Sequence, residues 1–251
     1  MTLVRGVDVS SWQHADNKPI DWEQVKAAGI SFALVKATQG SSYTNPWLKE
    51  DLDSAAMAGV LTGAYHFYEI GPEPDAQAEH FIGSLIGHIL DMGVWLDWEV
   101  TGANVYSDSA DAAAFIAKVS ETRKPCGLYT TPDFYERLKG ANLQVARWWA
   151  ADWDAPTAPP GAFLWQTGQE TIAGIEGSVD ADRLIATHGI DIPTSPVKPK
   201  PAEAPVRPAE TPKVEEVESS APATGEAPVV TEAVAAPDPE PSAPQTEPAA
   251  T

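Results

Sequence analysis

Asp97 and Glu99 are the residues whose type and spacing offer chemistry most directly. They are the only charges in the apolar run Met92-Gly93-Val94-Trp95-Leu96-Asp97-Trp98-Glu99-Val100, which reads as a buried strand. Residues i and i+2 of a strand share a face about 6.6 Å apart, so the two carboxyls point together while Trp98 points away. Like charges that close raise one another's proton affinity. One carboxyl then stays protonated while its neighbour stays ionised, the division of labour that glycosidic bond cleavage uses. An Asp-x-Glu pair is also a common pattern, and the plain alternative is two solvated acids at a strand end.

The elements that must position such a pair come from the alternation along the chain. Gly6–Ser10, Ser31–Thr38, Thr62–Tyr68, Met92–Val100, Gly127–Thr130, Ala146–Trp153, Ala162–Thr167 and Gly177–Asp182 read as strands. Helices are expected from Ile20 to Gly29 with Asp21 as N-cap and Gly29 as stop, and from Trp47 to Ala58. Three more are expected from Asp75 to Ile89, Ser109 to Thr122 and Pro132 to Leu138. The last three strands are joined by short Pro- or Gly-rich links with no place for crossover helices. Eight strands with five helices predict an α/β fold, a TIM-like closed barrel; an open doubly wound sheet is the alternative.

In a barrel of this kind chemistry sits at the carboxyl ends of the strands. Asp8 on the first strand and Asp180 and Asp182 on the last join Asp97 and Glu99 there, because first and last strands are neighbours once the ring closes. Such a cluster suits proton transfer; an all-oxygen Mg or Ca site is the alternative. Neither a metal nor a cofactor is expected. Trp12, Tyr65, Phe67, Tyr129, Trp149 and Trp165 fall within or just beyond the same strands. Flat rings beside carboxyls suit the apolar faces of a sugar chain, against the alternative that they are core. His66 could either line the groove or serve the structure, and Cys126 reads as a buried small hydrophobe.

Composition divides the chain. All nine Trp, six Tyr and six Phe lie between Trp12 and Trp165, whereas Ser195 to Thr251 has no aromatic residue and 13 of the 23 Pro. A folded domain over 1–193 and a disordered Pro/Ala/Glu-rich tail over 194–251 follow, since the tail lacks the apolar surface to offset its ordering entropy. The net charge is −20, of which the tail's ten acids and four bases supply −6 and the domain −14. That balance speaks against nucleic acid as a partner and against anchoring on anionic membranes. No run approaches the roughly 20 apolar residues of a membrane span. No G-x-G-x-x-G follows a strand and no P-loop lysine pattern appears, so nucleotide chemistry has little support.

Seven blocks in order then carry a resemblance: Gly6-Val7-Asp8-Val9-Ser10-Ser11-Trp12-Gln13, Ile20-Asp21-Trp22, Phe32-Ala33-Leu34-Val35-Lys36-Ala37-Thr38, Gly63-Ala64-Tyr65-His66-Phe67, Leu96-Asp97-Trp98-Glu99, Trp165-Gln166, and Gly174-Ile175-Glu176-Gly177-Ser178-Val179-Asp180. Over about residues 4–190 the chain resembles the glycoside hydrolase family 25 lysozymes, the Chalaropsis-type N-acetylmuramidases. The resemblance implies a flattened barrel with eight strands and five helices. It also implies cleavage of the β-1,4 bond between N-acetylmuramic acid and N-acetylglucosamine in peptidoglycan. On it, Glu99 matches the general acid, Asp97 its partner, and Asp8 and Asp180 the further acids of the groove floor. Either the substrate's N-acetyl group attacks while Asp97 stabilises the ring cation, which is favoured here, or Asp97 itself acts as nucleophile or base.

Two positions depart from the family pattern. Gln39 stands where a glutamate commonly follows Lys-Ala-Thr, and Asp182 stands where an asparagine is usual, adding a charge expected to bind substrate or shift the pH optimum. The apolar start Met1-Thr2-Leu3-Val4, interrupted by Arg5, is too brief for a signal peptide, so a monomer made in the bacterial cytoplasm is expected, and family habit supplies the delivery route. It would act on the wall as a phage endolysin after holin-dependent release, with a virion-associated lysin as the alternative route. A rival of another class is a glycan-binding barrel that has lost catalysis; the presence of all four matched acids speaks against it.

Overall fold

The computed structural model describes residues 4–99, 109–140, 143 and 145–185. Among these, strands β1 (Val4–Val9), β2 (Phe32–Gln39), β3 (Tyr43–Thr44), β4 (Leu61–Phe67) and β5 (Gly93–Asp97) are followed by β6 (Cys126–Thr130), β7 (Trp148–Ala151), β8 (Leu164–Glu170) and β9 (Val179–Leu184). Five helices, α1 (Trp22–Ala27), α2 (Leu48–Met57), α3 (Pro74–Ser84), α4 (Ser109–Ser120) and α5 (Pro132–Gly140), lie between them. Pairing runs β1-β9-β8-β7-β6-β5-β4-β2, and β2 pairs back to β1. Eight strands thus close a barrel, with the two-residue β3 clipped antiparallel onto the end of β2. The expected tail, the boundary near Pro193 and Val100 lie outside the described residues.

Strand alternation builds the two sides of the wall. Val7, Val9, Ala33, Val35, Val94, Leu96 and Leu128 join one buried cluster with residues of the helices. Phe32, Leu34, Tyr65, Trp95, Tyr129, Trp149 and Leu164 form the other, inside the barrel. Phe32 and Leu34 are fully buried, a burial that contributes about 1.5–3 kcal/mol each. Glycine makes the interior possible at two points, because a Cβ on Gly6 would meet the Phe32 ring at 2.2 Å and one on Gly127 the Trp95 ring at 2.3 Å.

The barrel is parallel except for β9, which runs antiparallel to both β8 and β1. A short link between the last two strands leaves only a hairpin-type return. This reversal brings the beginning of β9 to the end of the barrel where the other strands finish.

Helix ends follow their local signals. The Asp21 side chain accepts from Gln24 N at 3.0 Å and caps α1, and Gly29 turns left-handed after it with φ of 89°. Helix α3 departs from expectation, ending at Ser84 instead of Ile89. Gly87 adopts φ of 88° in this stretch, and Ile86 and Ile89 are 78% and 88% exposed. Their apolarity therefore marks no buried helical stripe.

The loop after β1 is fixed at both ends. Ser10 and Gln13 form a capping box around the turn Ser11–Gln13 that carries Trp12. Behind it, buried His14 places Nδ1 on Lys18 O and Nε2 on Asp51 Oδ2 of α2, both at 2.9 Å. Trp22 Nε1 donates to the other oxygen of Asp51, and Trp47 stacks flat on the imidazole at 3.9 Å.

Candidate active site

The acids converge at one mouth of the barrel. Asp8 points inward from β1 and is paired in register with Asp180 at the start of β9. Asp97 ends β5, between Phe67 of β4 and Tyr129 of β6, and Glu99 follows it. Asp8, Asp97, Glu99 and Asp180 line one cleft, while Trp98, between the paired acids, packs in the outer cluster. That is the i, i+2 arrangement the strand period requires.

Aromatic rings surround these carboxyls. Trp12, Tyr65, Phe67, Tyr129 and Trp149 all line the cleft, joined by Trp153. Trp12 is 42% exposed and forms an open wall; Tyr129 and Trp149 are buried and pack edge to face at 4.5 Å.

Two residues expected here sit elsewhere. Trp165 neighbours inward-facing Gln166 on a strand and so must face outward: it packs with Trp148, Ala150 and Ala162 and donates to Asp152 O at 2.7 Å. Asp182 faces inward but one layer down. It pairs in register with Gly6, has no exposed surface and accepts from Trp149 Nε1 at 2.8 Å, so it lies beneath the cleft instead of lining it.

Burial sets the protonation of the cluster. Glu99 is pushed up to about 7, first by burial and then by the charge of Asp180. Asp97 is held well above the usual carboxylate range by burial and by Glu99, with Lys36 opposing. Asp180 is raised to about 6 by burial. Among the described residues no N–H or O–H reaches buried Asp97 Oδ1, yet the Asp97 and Glu99 carboxyls are in hydrogen-bonding contact. A carboxyl–carboxyl contact of this kind favours retention of a proton.

Gln166 ties the floor together. Its Nε2 donates to Asp8 Oδ2 at 2.9 Å and to Asp180 Oδ2 at 3.3 Å. Its Oε1 accepts from Tyr129 Oη at 2.9 Å and from Trp153 Nε1 at 2.8 Å. On the other side Lys36 lines the cleft, buried at 4% exposure. Its Nζ lies 4.8 Å from the Phe67 ring centre and donates to Gln39 Oε1 at 2.7 Å. The Gln39 amide passes the contact on to Glu69 at 2.8 Å.

Residues 7–174 match the pattern described as "Glycosyl hydrolases family 25". The chain belongs to that family. It is 33% identical over 196 residues to Lysozyme M1 of Streptomyces globisporus, an alignment covering 71% of this chain and 65% of that protein. It is 29% identical over 216 residues to the N,O-diacetylmuramidase of Chalaropsis sp., covering 73% of this chain and 99% of the other. The fold superimposes on the bacterial lysozyme from Streptomyces coelicolor with a TM-score of 0.62 and 26% identity, over 74% of this chain and 94% of that one.

Within this family 25 barrel, Lys36, Gln166 and Trp153 are cleft residues that the reading of single side chains missed. The first two stood inside blocks that carried the resemblance, and their parity with Leu34 and Leu164 was the available signal. Trp153 follows β7 with no periodic cue. His66 faces outward instead, fully buried, with Nδ1 2.7 Å from Thr38 Oγ1 and Nε2 3.1 Å from Gln77 Oε1. Gln77 Oε1 only accepts, so His66 carries its proton on Nε2 and takes the Thr38 hydroxyl on Nδ1. Burial lowers its pKa to about 3, which makes it a neutral strut between the sheet, Phe81 and Phe115.

Among the described residues no three His, Cys, Asp or Glu side chains are grouped to hold a metal ion, and no helix is long and apolar enough to cross a membrane.

Proposed function

We propose that this chain is a peptidoglycan hydrolase, a muramidase that cuts the β-1,4 bond between N-acetylmuramic acid and N-acetylglucosamine. The observation that carries the reading is the Asp97/Glu99 pair: a carboxyl raised to about 7, beside a second that burial also raises, in a cleft walled by aromatic rings. A general acid works best with a pKa near the working pH. Membership of family 25, with relatives named lysozyme and N,O-diacetylmuramidase, supports the substrate class.

In the proposed reaction Glu99 gives its proton to the glycosidic oxygen as the C1–O bond breaks. The electron pair leaves with that oxygen, and positive charge grows at C1 and the ring oxygen. Asp97, as the carboxylate, faces that charge. The substrate's N-acetyl oxygen closes on C1, and water then opens the ring so formed while Glu99 takes a proton back. Burial strengthens each electrostatic contact, since little water screens it. Trp12 and the rings opposite hold the sugar faces, and Gln166 fixes Asp8 and Asp180 beneath them.

The test is reducing-sugar release from purified peptidoglycan, with mass analysis of the products, for the wild type and Glu99→Gln. Muramic acid reducing ends that fall by about 10² to 10⁴ in the variant support the assignment. Glucosamine reducing ends would point to a different bond, and wall binding without cleavage by either protein would make this a binding module.

A further inference from the structure

Beneath the cleft a second pair of carboxyls meets, and no step above uses it. Asp8 of β1 and Asp182 of β9 lie diagonally across paired strands on the inner face, Asp182 opposite Gly6 and Asp8 opposite Asp180, close enough for each carboxyl to bias the other's proton through a hydrogen bond. Asp182 Oδ1 is taken by Trp149 Nε1 at 2.8 Å. Its Oδ2 is buried, and no N–H or hydroxyl among the described residues reaches it. Asp8 Oδ2 already accepts from Gln166 at 2.9 Å. Two ionised carboxylates in this position would repel, and a buried oxygen would be left without a donor, an arrangement that costs several-fold more than a made bond returns.

We propose that Asp182 is a positioning residue that acts through Asp8, holding it as a neutral carboxylic acid: Asp8 donates its own proton to Asp182 Oδ2 and turns its other oxygen to Gln166. The buried negative charge then belongs to Asp182, where the indole N–H meets it, and the surface offered to the cleft is uncharged. If the muramidase reading holds, Asp8 is thereby barred from activating water, and its part is to hold Gln166, which in turn holds Asp180, Tyr129 and Trp153.

The charged and titratable groups around the pair favour retention of a proton there. Burial and the charges of Asp182 and Asp180 raise Asp8 well above the usual carboxylate range. Asp182 is also raised by burial, with Trp149, Asp8 and Arg183 opposing. Tyr129 faces the same acids and is driven further above its ordinary value, first by its own burial. Across the cleft Lys36 faces Asp97 and Glu99, and Asp8 has no cation among its influences.

The isosteric Asp182→Asn offers Trp149 the same acceptor and Asp8 an N–H in place of a charge. Carboxyl-carbon NMR titration of the full-length protein labelled at Asp, with Asp8→Asn to assign the resonance, should show Asp8 protonated from about pH 5 to 8 in the wild type and ionised in Asp182→Asn. Stability gives an independent readout. The unfolded wild type sheds both protons above its ordinary carboxyl range while the folded pair keeps one, so wild-type stability falls with rising pH more steeply than the variant's, in which only the other raised carboxyls act. The ratio of their folding constants should grow by up to about tenfold per pH unit in the variant's favour. Asp8 already ionised at about pH 6 in the wild type, or a ratio that stays flat with pH, overturns the proposal. If Asp182→Asn fails to fold, the wild-type titration decides by itself. Neither readout uses cleavage, so loss of the muramidase reading and loss of this one are told apart.

Discussion

Asp8 and Asp180 are cross-strand partners on β1 and β9, and one amide nitrogen, Gln166 Nε2, donates to both, at 2.9 and 3.3 Å. The acid floor therefore hangs on a neutral side chain from a third strand. Gln166→Leu should leave the Tyr129 hydroxyl and the Asp8 carboxyl without their partner, at about 1–3 kcal/mol for each buried group. Activity on peptidoglycan should fall further than stability explains, by about a hundredfold, because the acids lose their fixed spacing. Urea unfolding and turnover on one preparation check both, and a variant with wild-type turnover would remove Gln166 from the site.

The pH profile should reflect the proton on Glu99. Its carboxyl is raised to about 7, so the acid form is present below that value and lost above it. kcat should fall about tenfold per pH unit beyond the upper limb. Stability should move the same way: a folded-state carboxyl raised above its ordinary value adds a penalty once the unfolded chain can release the proton, so stability declines as pH climbs toward about 7. Buffers spanning about pH 4 to 9 at constant ionic strength test the profile, and full activity two units above the expected limb would contradict it.

Trp12 is the open aromatic wall, 42% exposed on a turn held by the Ser10 and Gln13 capping box. Trp12→Ala removes the sugar-stacking face proposed for it without opening the core. KM should rise about tenfold with a change in stability under about 0.5 kcal/mol. A lowered Tm with unchanged KM would place Trp12 among the structural residues.

The His14 and Asp51 side chains form a buried pair at 2.9 Å behind that turn. Asp51→Ala strands the imidazole and Trp22 Nε1 together. Breaking a buried pair by removing one partner costs about 3–5 kcal/mol, and the Trp12 turn should loosen with it. Chemical denaturation measures the first effect and tryptophan fluorescence the second; a loss below about 1 kcal/mol would show that the pair contributes little.

Local periodicity determined a large part of this protein. Five helices, eight barrel strands, the Asp21 cap and the shared face of Asp97 and Glu99 were legible because each depends on residues within a turn or two of one another. The reading erred where a local signal has more than one tertiary outcome. Ile86 and Ile89 extended a helical pattern that the fold leaves in solvent, and Trp165 is as aromatic outside the wall as it would be within it. The short link before β9 made its reversal a local matter, but only the closed ring set β9 against β1 in the register that brings Asp180 to the mouth and buries Asp182, two residues on, under it against Trp149. Ring closure likewise put Gln166 on both Asp8 and Asp180, across 158 and 14 residues of chain. The protonation of the acids belongs to the same level, because burial is its first cause, and burial is a property of everything packed around a side chain and of no single stretch of sequence.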